Sequence, residues 1–180
     1  LAKIGDPLDP DTILGPLVAA RQRDRVEAYI AVGIAEGATV AIGGGRPTDQ
    51  PTGWFVEPTI LIGADNSMRV CREEIFGPVV AVIPYDGDDD AVRIANDSRS
   101  GLSAGVFSAE DDRALQVAAA IRAGSVGVKS SGLSGAFPFG GFKESGIGRQ
   151  YGPEGVFEFL ETKTIGLPPG YDPARFVAAG

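Results

Sequence analysis

Val79-Val80-Ala81-Val82-Ile83-Pro84 is the run from which the fold of this chain can be read. It is apolar, short and closed by a proline, the pattern of a buried strand. Reading outward toward the C-terminus, residues 89–96 place Ala91, Val92, Ile94 and Ala95 on the inner side of a short helix. Ser103-Ala104-Gly105-Val106-Phe107-Ser108 reads as a second strand. Residues 111–122 put Leu115, Val117, Ala118 and Ile121 largely on one side of a second helix. Gly124-Ser125-Val126-Gly127-Val128 reads as a third strand. Strand, helix, strand, helix, strand predicts right-handed crossovers and an α/β fold: a largely parallel sheet with flanking helices.

Outward in the other direction, residues 21–36 carry Val26, Tyr29, Ile30, Gly33 and Ile34 at three- and four-residue spacing, which predicts a helix ended by Gly37. Thr39-Val40-Ala41-Ile42 is a short strand. Trp54-Phe55-Val56 and Thr59-Ile60-Leu61-Ile62 read as extended on either side of Pro58. Residues 130–152 are rich in glycine and show neither helical nor strand period, and loops of that length tend to be functional or disordered. Phe137, Phe139 and Phe142 favour order there, since burying one Phe contributes roughly 1.5–3 kcal/mol. A short helix is expected over 153–160, an alternating strand over 161–167, and a tail over 168–180. The domain reading is therefore one unit over 1–160, a strand over 161–167 and the tail.

Composition narrows the function. The chain has 180 residues, enough for one core. A net charge of −8 argues against a nucleic-acid footprint. The run Asp86-Gly87-Asp88-Asp89-Asp90 precedes a helix and reads as an acidic first turn facing the helix dipole, not as a metal site. A single Cys rules out an internal disulfide, and a reducing compartment, the cytoplasm, is the expectation. The absence of His removes Ser-His-Asp and Cys-His chemistry and most zinc sites. No apolar run reaches membrane-spanning length. The first residue is Leu and the only Met is Met68, so the chain is expected to be processed or, more simply, a fragment.

Four motifs invite chemistry. Cys71 is the obvious nucleophile, but Glu73 and Glu74 oppose a low pKa and no His can serve as its base, so it reads as a buried, inert thiol. Gly146-Ile147-Gly148-Arg149-Gln150-Tyr151-Gly152 resembles a dinucleotide turn but follows no strand and has the wrong spacing. Gly43-Gly44-Gly45 lacks the Lys-Ser/Thr ending of a phosphate loop and reads as a flexible surface turn. Glu73-Glu74-Ile75-Phe76-Gly77-Pro78 is different: Gly-Pro fixes a bend before a strand. A carboxylate held there can accept hydrogen bonds from a ribose diol, and the Phe can pack on a planar ring. A strand-initiating turn with solvated acids is the plainer alternative.

Ordered motifs along nearly the whole chain resemble aldehyde dehydrogenases. They are Gly5-Asp6-Pro7-Leu8-Asp9-Pro10, Gly15-Pro16-Leu17, Gln22 to Val26, Gly53 to Thr59, Glu73 to Pro78, Ala95 to Ser98 with Gly101-Leu102, and Pro138-Phe139-Gly140-Gly141-Phe142-Lys143 with Ser145, Gly146, Gly148 and Arg149. The resemblance implies that Glu74 holds the nicotinamide ribose and that Phe76 lies beside the nicotinamide of NAD or NADP. It implies that Phe139 walls the substrate tunnel, that Ser131, Gly132 and Leu133 line its entrance, and that 161–167 is an oligomerisation strand, giving a homo-oligomer. The implied reaction oxidises an aldehyde to an acid through a cysteine thioester. The implied nucleophile, its Glu and Asn partners and the dinucleotide-binding domain match nothing here, so no catalytic residue is assigned and the 180 residues alone are expected to be inactive. A truncated, non-catalytic assembly partner of full-length subunits is the alternative, and an enzyme using Cys71 is a third. Ser100 and Lys129 depart from the family, which commonly has Tyr and Asn there; Lys129 either favours acidic substrates or points to water, the second being preferred.

Overall fold

The computed structural model describes residues 2–130 and 134–173. Its first helix, α1 (Ala20–Ala35), buries Val26, Tyr29, Ile30 and Gly33 of the expected stripe, whereas Ile34, the fifth member, is exposed. Gly33 brings the helix close to the sheet: a Cβ there would lie 3.0 Å from a methyl of Leu61. Past the helix, Gly37 takes φ 111°, a left-handed conformation that glycine adopts without strain.

Three strands form the sheet beneath α1. β1 (Thr39–Ile42) pairs antiparallel with β2 (Thr59–Ile62), with a register shift between Val40 and Ile42. β2 pairs in parallel with β3 (Val79–Ala81). The central strand β2 buries Leu61 and Thr59 completely enough that each is excluded from water. Between β2 and β3 a short helix, α2 (Arg69–Arg72), buries Val70; at four residues it is too short to show a period in sequence. Trp54 to Val56 form no strand. Phe55 and Val56 are nevertheless buried, and Arg23 stacks over Trp54 with 4.9 Å to the ring centroid.

Beyond β3 come α3 (Gly87–Asn96), β4 (Ser100–Gly101), β5 (Ser103–Val106), α4 (Asp111–Ala120), β6 (Ser125–Val128), β7 (Phe142–Lys143) and α5 (Gly152–Phe157). Asp88, Asp89 and Asp90 occupy the first turn of α3, as their position before an apolar stripe required. β5 and β6 pair in parallel across α4. β4 and β7 pair antiparallel, and these two-residue strands carried no sequence signal.

The fold is α/β, and the expected parallel ladders are present. They are distributed over two sheets, β2 with β3 and β5 with β6, and antiparallel neighbours accompany them. The single continuous sheet anticipated from the element order is not what forms: β3 ends after three residues and pairs with β2, not β5. Among the described residues, 161–167 are exposed and form no strand, where the alternation led to one being expected. The core is lopsided. Val26, Ile30, Val56, Leu61, Met68, Val70 and Ile75 pack as one cluster, whereas beyond Ile75 the only buried apolar side chain among the described residues is Ala114.

Candidate functional site

Glu73 to Pro78 crosses the exposed end of α1, and each residue has a distinct anchor. The Tyr29 hydroxyl donates to Glu73 Oε2 at 2.6 Å, and Arg69 donates to both Glu73 oxygens at 3.1 Å. With the Arg69 guanidinium and the Tyr29 hydroxyl upon it, the Glu73 carboxyl is held down to about 2. Arg25 Nη2 donates to the Glu74 carbonyl at 2.6 Å and to the Tyr29 hydroxyl at 3.3 Å. Gln22 Nε2 donates to the carbonyls of Ile75 and Phe76, at 3.1 and 2.8 Å. Ile75 enters the core. Gly77 lies so close to α1 that a Cβ would meet Val26 at 2.4 Å.

This clamp leaves Glu74 and Phe76 facing outward. The Glu74 side chain is exposed, and the Phe76 ring is 76% exposed. Phe76 also takes φ 58°, a left-handed backbone that costs an ordinary residue about 1–2 kcal/mol. A large apolar ring held in water on a strained backbone contributes nothing to the folded chain itself. Such outliers cluster at ligand sites. Glu74, two residues before Phe76, has an exposed side chain that takes no part in the clamp.

Phe139 lies elsewhere, on the β4–β7 side of the molecule. Its N–H and C=O exchange hydrogen bonds with Gln150, both 2.7 Å. The half-buried ring lines two clefts: one of ≈ 560 Å³ with Leu102, Arg149, Tyr151 and Phe159, and one of ≈ 660 Å³ with Ser103, Ser125 and Phe137. The glycine-rich segment around it is packed. Arg149 Nη1 donates to the carbonyls of Gly141, Ile147 and Gly148, at 3.0, 3.3 and 2.8 Å, and its guanidinium lies 5.7 Å from the Phe142 centroid. A Cβ on Gly124 would lie 1.6 Å from the Gly140 carbonyl oxygen. Glu74 and Phe76 thus lie together beside α1, while Phe139 lies in the segment between β6 and β7, bridged to Gln150. Ser131, Gly132 and Leu133 lie outside the described residues.

Other expectations resolve by contact. Gly43-Gly44-Gly45 is a packed turn and not a flexible one: Gly44 N–H donates to Thr59 Oγ1 at 3.0 Å, and a Cβ on Gly43 would lie 2.2 Å from the Pro58 carbonyl oxygen. Lys129 Nζ does not simply point to water; it sits 2.5 Å from Asp111 Oδ1 at the start of α4. Cys71 packs against the core, and burial raises its thiol pKa, opposite to what a nucleophile needs. No group of His, Cys, Asp and Glu able to hold a metal occurs among the described residues, and no helix there is long and apolar enough to cross a membrane. In sequence Gln22 and Arg25 belong to a helix and to a motif of the family resemblance, and Tyr29 to the helix alone; none points to the Glu73–Phe76 turn. Their role lies in what crosses the helix end.

The chain is α/β, with the Phe76 ring and the Glu74 side chain exposed beside α1 and Phe139 lining two clefts elsewhere. Comparison with known proteins gives the family. The aldehyde dehydrogenase family model matches residues 1–165. Geranial dehydrogenase of Castellaniella defragrans is 45% identical over 164 residues, 91% of this chain and 34% of that protein. A Mycobacterium tuberculosis aldehyde dehydrogenase complexed with NAD+ superposes with a TM-score of 0.89 at 46% identity, over 95% of this chain and 35% of that one. Betaine aldehyde dehydrogenase from Staphylococcus aureus in complex with NAD+ superposes with a TM-score of 0.86 at 39% identity, over 94% of this chain and 36% of that one. The chain belongs to the aldehyde dehydrogenase family. It spans about a third of the length of these relatives.

Proposed function

We propose that these residues form the C-terminal catalytic portion of an NAD(P)+-dependent aldehyde dehydrogenase. Glu74 and Phe76 form the nicotinamide-ribose edge, and Phe139 with residues 131–133 forms the aldehyde tunnel. The observation that carries this reading is Phe76, held out on a left-handed backbone beside an outward carboxylate. An exposed planar face and an acceptor two residues apart fit a nicotinamide and its ribose diol. NAD(P)+, when bound, supplies the acceptor for the hydride leaving the aldehyde carbon. Aldehyde, water and NAD(P)+ give carboxylate, NAD(P)H and two protons.

Within that reaction this chain has positioning work. The Glu74 carboxylate accepts the ribose hydroxyl hydrogen bonds and fixes the rotation of the sugar. The Phe76 ring excludes water from one side of the nicotinamide. Phe139 gives the aldehyde an apolar wall that holds the carbonyl carbon near the reacting sulfur. The nucleophilic cysteine whose thioester carries the acyl group, its activating Glu and the dinucleotide-binding domain are assigned to sequence outside these 180 residues. Residues 161–167, with Ile165 and Leu167 exposed, serve as the strand that joins copies into a homo-oligomer.

The test is direct. The purified 180-residue chain, given NAD+ or NADP+ and a panel of aldehydes, is expected to produce no NAD(P)H. Turnover would overturn the assignment of the nucleophile elsewhere. The exposed apolar residues Phe157, Phe159, Leu160 and Ile165 also favour a second reading, a non-catalytic assembly partner of full-length subunits. The DNA preceding the codon for Leu1 separates the two: an open frame encoding a Cys-bearing loop supports the enzyme, a stop codon followed by a start supports the partner.

A further inference from the structure

Three side chains on α1, Gln22, Arg25 and Tyr29, follow one another at three- and four-residue spacing and so share one face of the helix. Every polar contact described above between that face and Glu73–Phe76 is a donor from the helix. Two of the three, Gln22 and Arg25, reach backbone carbonyls, and those carbonyls belong to the peptide units on both sides of Ile75 and following Phe76. The third, Tyr29, fixes the Glu73 side chain, which Arg69 of α2 grips from the other side. We infer that Gln22, Arg25 and Tyr29 are positioning residues for the cofactor edge, holding Phe76 in its left-handed backbone and thereby setting where its ring and the Glu74 carboxylate stand.

The reasoning is energetic. A phenylalanine left to itself leaves φ 58° for the extended or right-handed helical region. Phe76 gains no burial by staying, since its ring is in water. Gly77 fixes the distance to α1 but not the torsion of the residue before it. What opposes relaxation is the orientation of the carbonyls on either side, because rotating φ at Phe76 swings the Ile75 carbonyl away from Gln22. One amide nitrogen therefore restrains both peptide units that flank Phe76. Arg25 does the same for the unit before Ile75, and its second contact, to the Tyr29 hydroxyl, ties the clamp to the Glu73 anchor. The three residues touch neither hydride donor nor acceptor. They act through Glu74 and Phe76.

The inference rests on reading Glu74 and Phe76 as the nicotinamide edge, and the experiment separates the two ideas. In the full dehydrogenase that carries this segment, Gln22→Ala and the near-isosteric Gln22→Glu, which cannot donate to a carbonyl, are measured alone and combined with Phe76→Gly. Loss of the Gln22 bonds is expected to raise KM for NAD+ about tenfold in either variant, with a smaller change in kcat. Glycine is at ease at φ 58°, so in the F76G background neither change at Gln22 raises KM further. Arg25→Lys, which keeps one donor, is expected to leave a smaller rise than Arg25→Ala. If F76G raises KM for NAD+ while the Gln22 variants do not, the clamp is wrong and the edge stands. A Gln22 effect of the same size in the F76G background also overturns the clamp, since Gln22 would then act on the dinucleotide itself. If F76G leaves KM for NAD+ unchanged, the edge itself is misassigned. Should Q22A fold poorly, Q22E carries the comparison, and a fall in melting temperature with unchanged KM marks a merely structural residue and overturns the inference.

Discussion

At Phe76 stability and purpose point in opposite directions. The residue holds a conformation that costs it energy and exposes a ring that would be better buried. Phe76→Gly should therefore stabilise the 180-residue chain by about 1 kcal/mol, the strain released less the extra freedom of glycine when unfolded. Thermal or urea unfolding of the two forms measures it, and a loss of stability would make Phe76 a packing residue after all. The neighbouring positions show how uneven the reading of a sequence is at this scale. The acid, the aromatic and the Gly-Pro bend offered Glu74 and Phe76 as site candidates beside the plainer reading of a strand-initiating turn, and the family resemblance decided between the two. That Glu73 is the anchor and Glu74 the exposed acid could not be read there, because the distinction depends on Tyr29 and Arg69 reaching one of them from other elements.

Elements with a period were legible, and elements defined by a partner were not. α1, α3, α4, β5 and β6 announce themselves through apolar spacing, and each forms within a few residues of its expected bounds. β4 and β7 exist only because Ser100 and Gly101 meet Lys143 and Phe142, with β5, α4 and β6 lying between them in the chain. The 161–167 segment shows the converse: it alternates like a strand yet pairs with no strand among the described residues. Within the glycine-rich segment after β6, residues 140 and 141 are set by close approach of neighbouring chain, a feature invisible to any periodicity. Gly124 is the sharpest case. A methyl group there would overlap the Gly140 carbonyl, and backbone on both sides cannot yield as a side chain can. Gly124→Ala is expected to cost about 3 kcal/mol and to shift amide signals from β6 through the 138–150 loop. A change below about 0.5 kcal/mol would mean the two strands of chain are not in contact in solution.

Over the whole molecule, acid is the informative perturbation. Glu73 titrates in the folded chain near 2, against 4.5 for an ordinary glutamate, and Asp9, Glu27, Asp65, Asp88, Asp90 and Asp97 are lowered by their own partners. A depressed carboxylate adds stability that is fully present above its unfolded value and is lost as pH falls toward its folded one. Stability should thus decline from about pH 4.5 toward pH 2, and Glu73→Gln should start lower and decline less steeply across that window. Parallel acid-unfolding curves for the two proteins would remove Glu73 from the account. The α/β class and its parallel ladders were legible at this scale. The division into three sheets was not, because strand pairing depends on neighbours in space.

The lopsided core has a temporal consequence. Nearly all of the buried cluster lies between Val26 and Ile75, the part of these residues that a ribosome delivers first. Chains fold as units while they are made, earlier segments ahead of later ones. α1 and its three-stranded sheet can therefore close as soon as β3 has emerged, with the Glu73–Phe76 edge already set against the helix. The later strands and the glycine-rich loop then arrive at a finished surface, so that translation builds the proposed cofactor edge before the proposed tunnel wall.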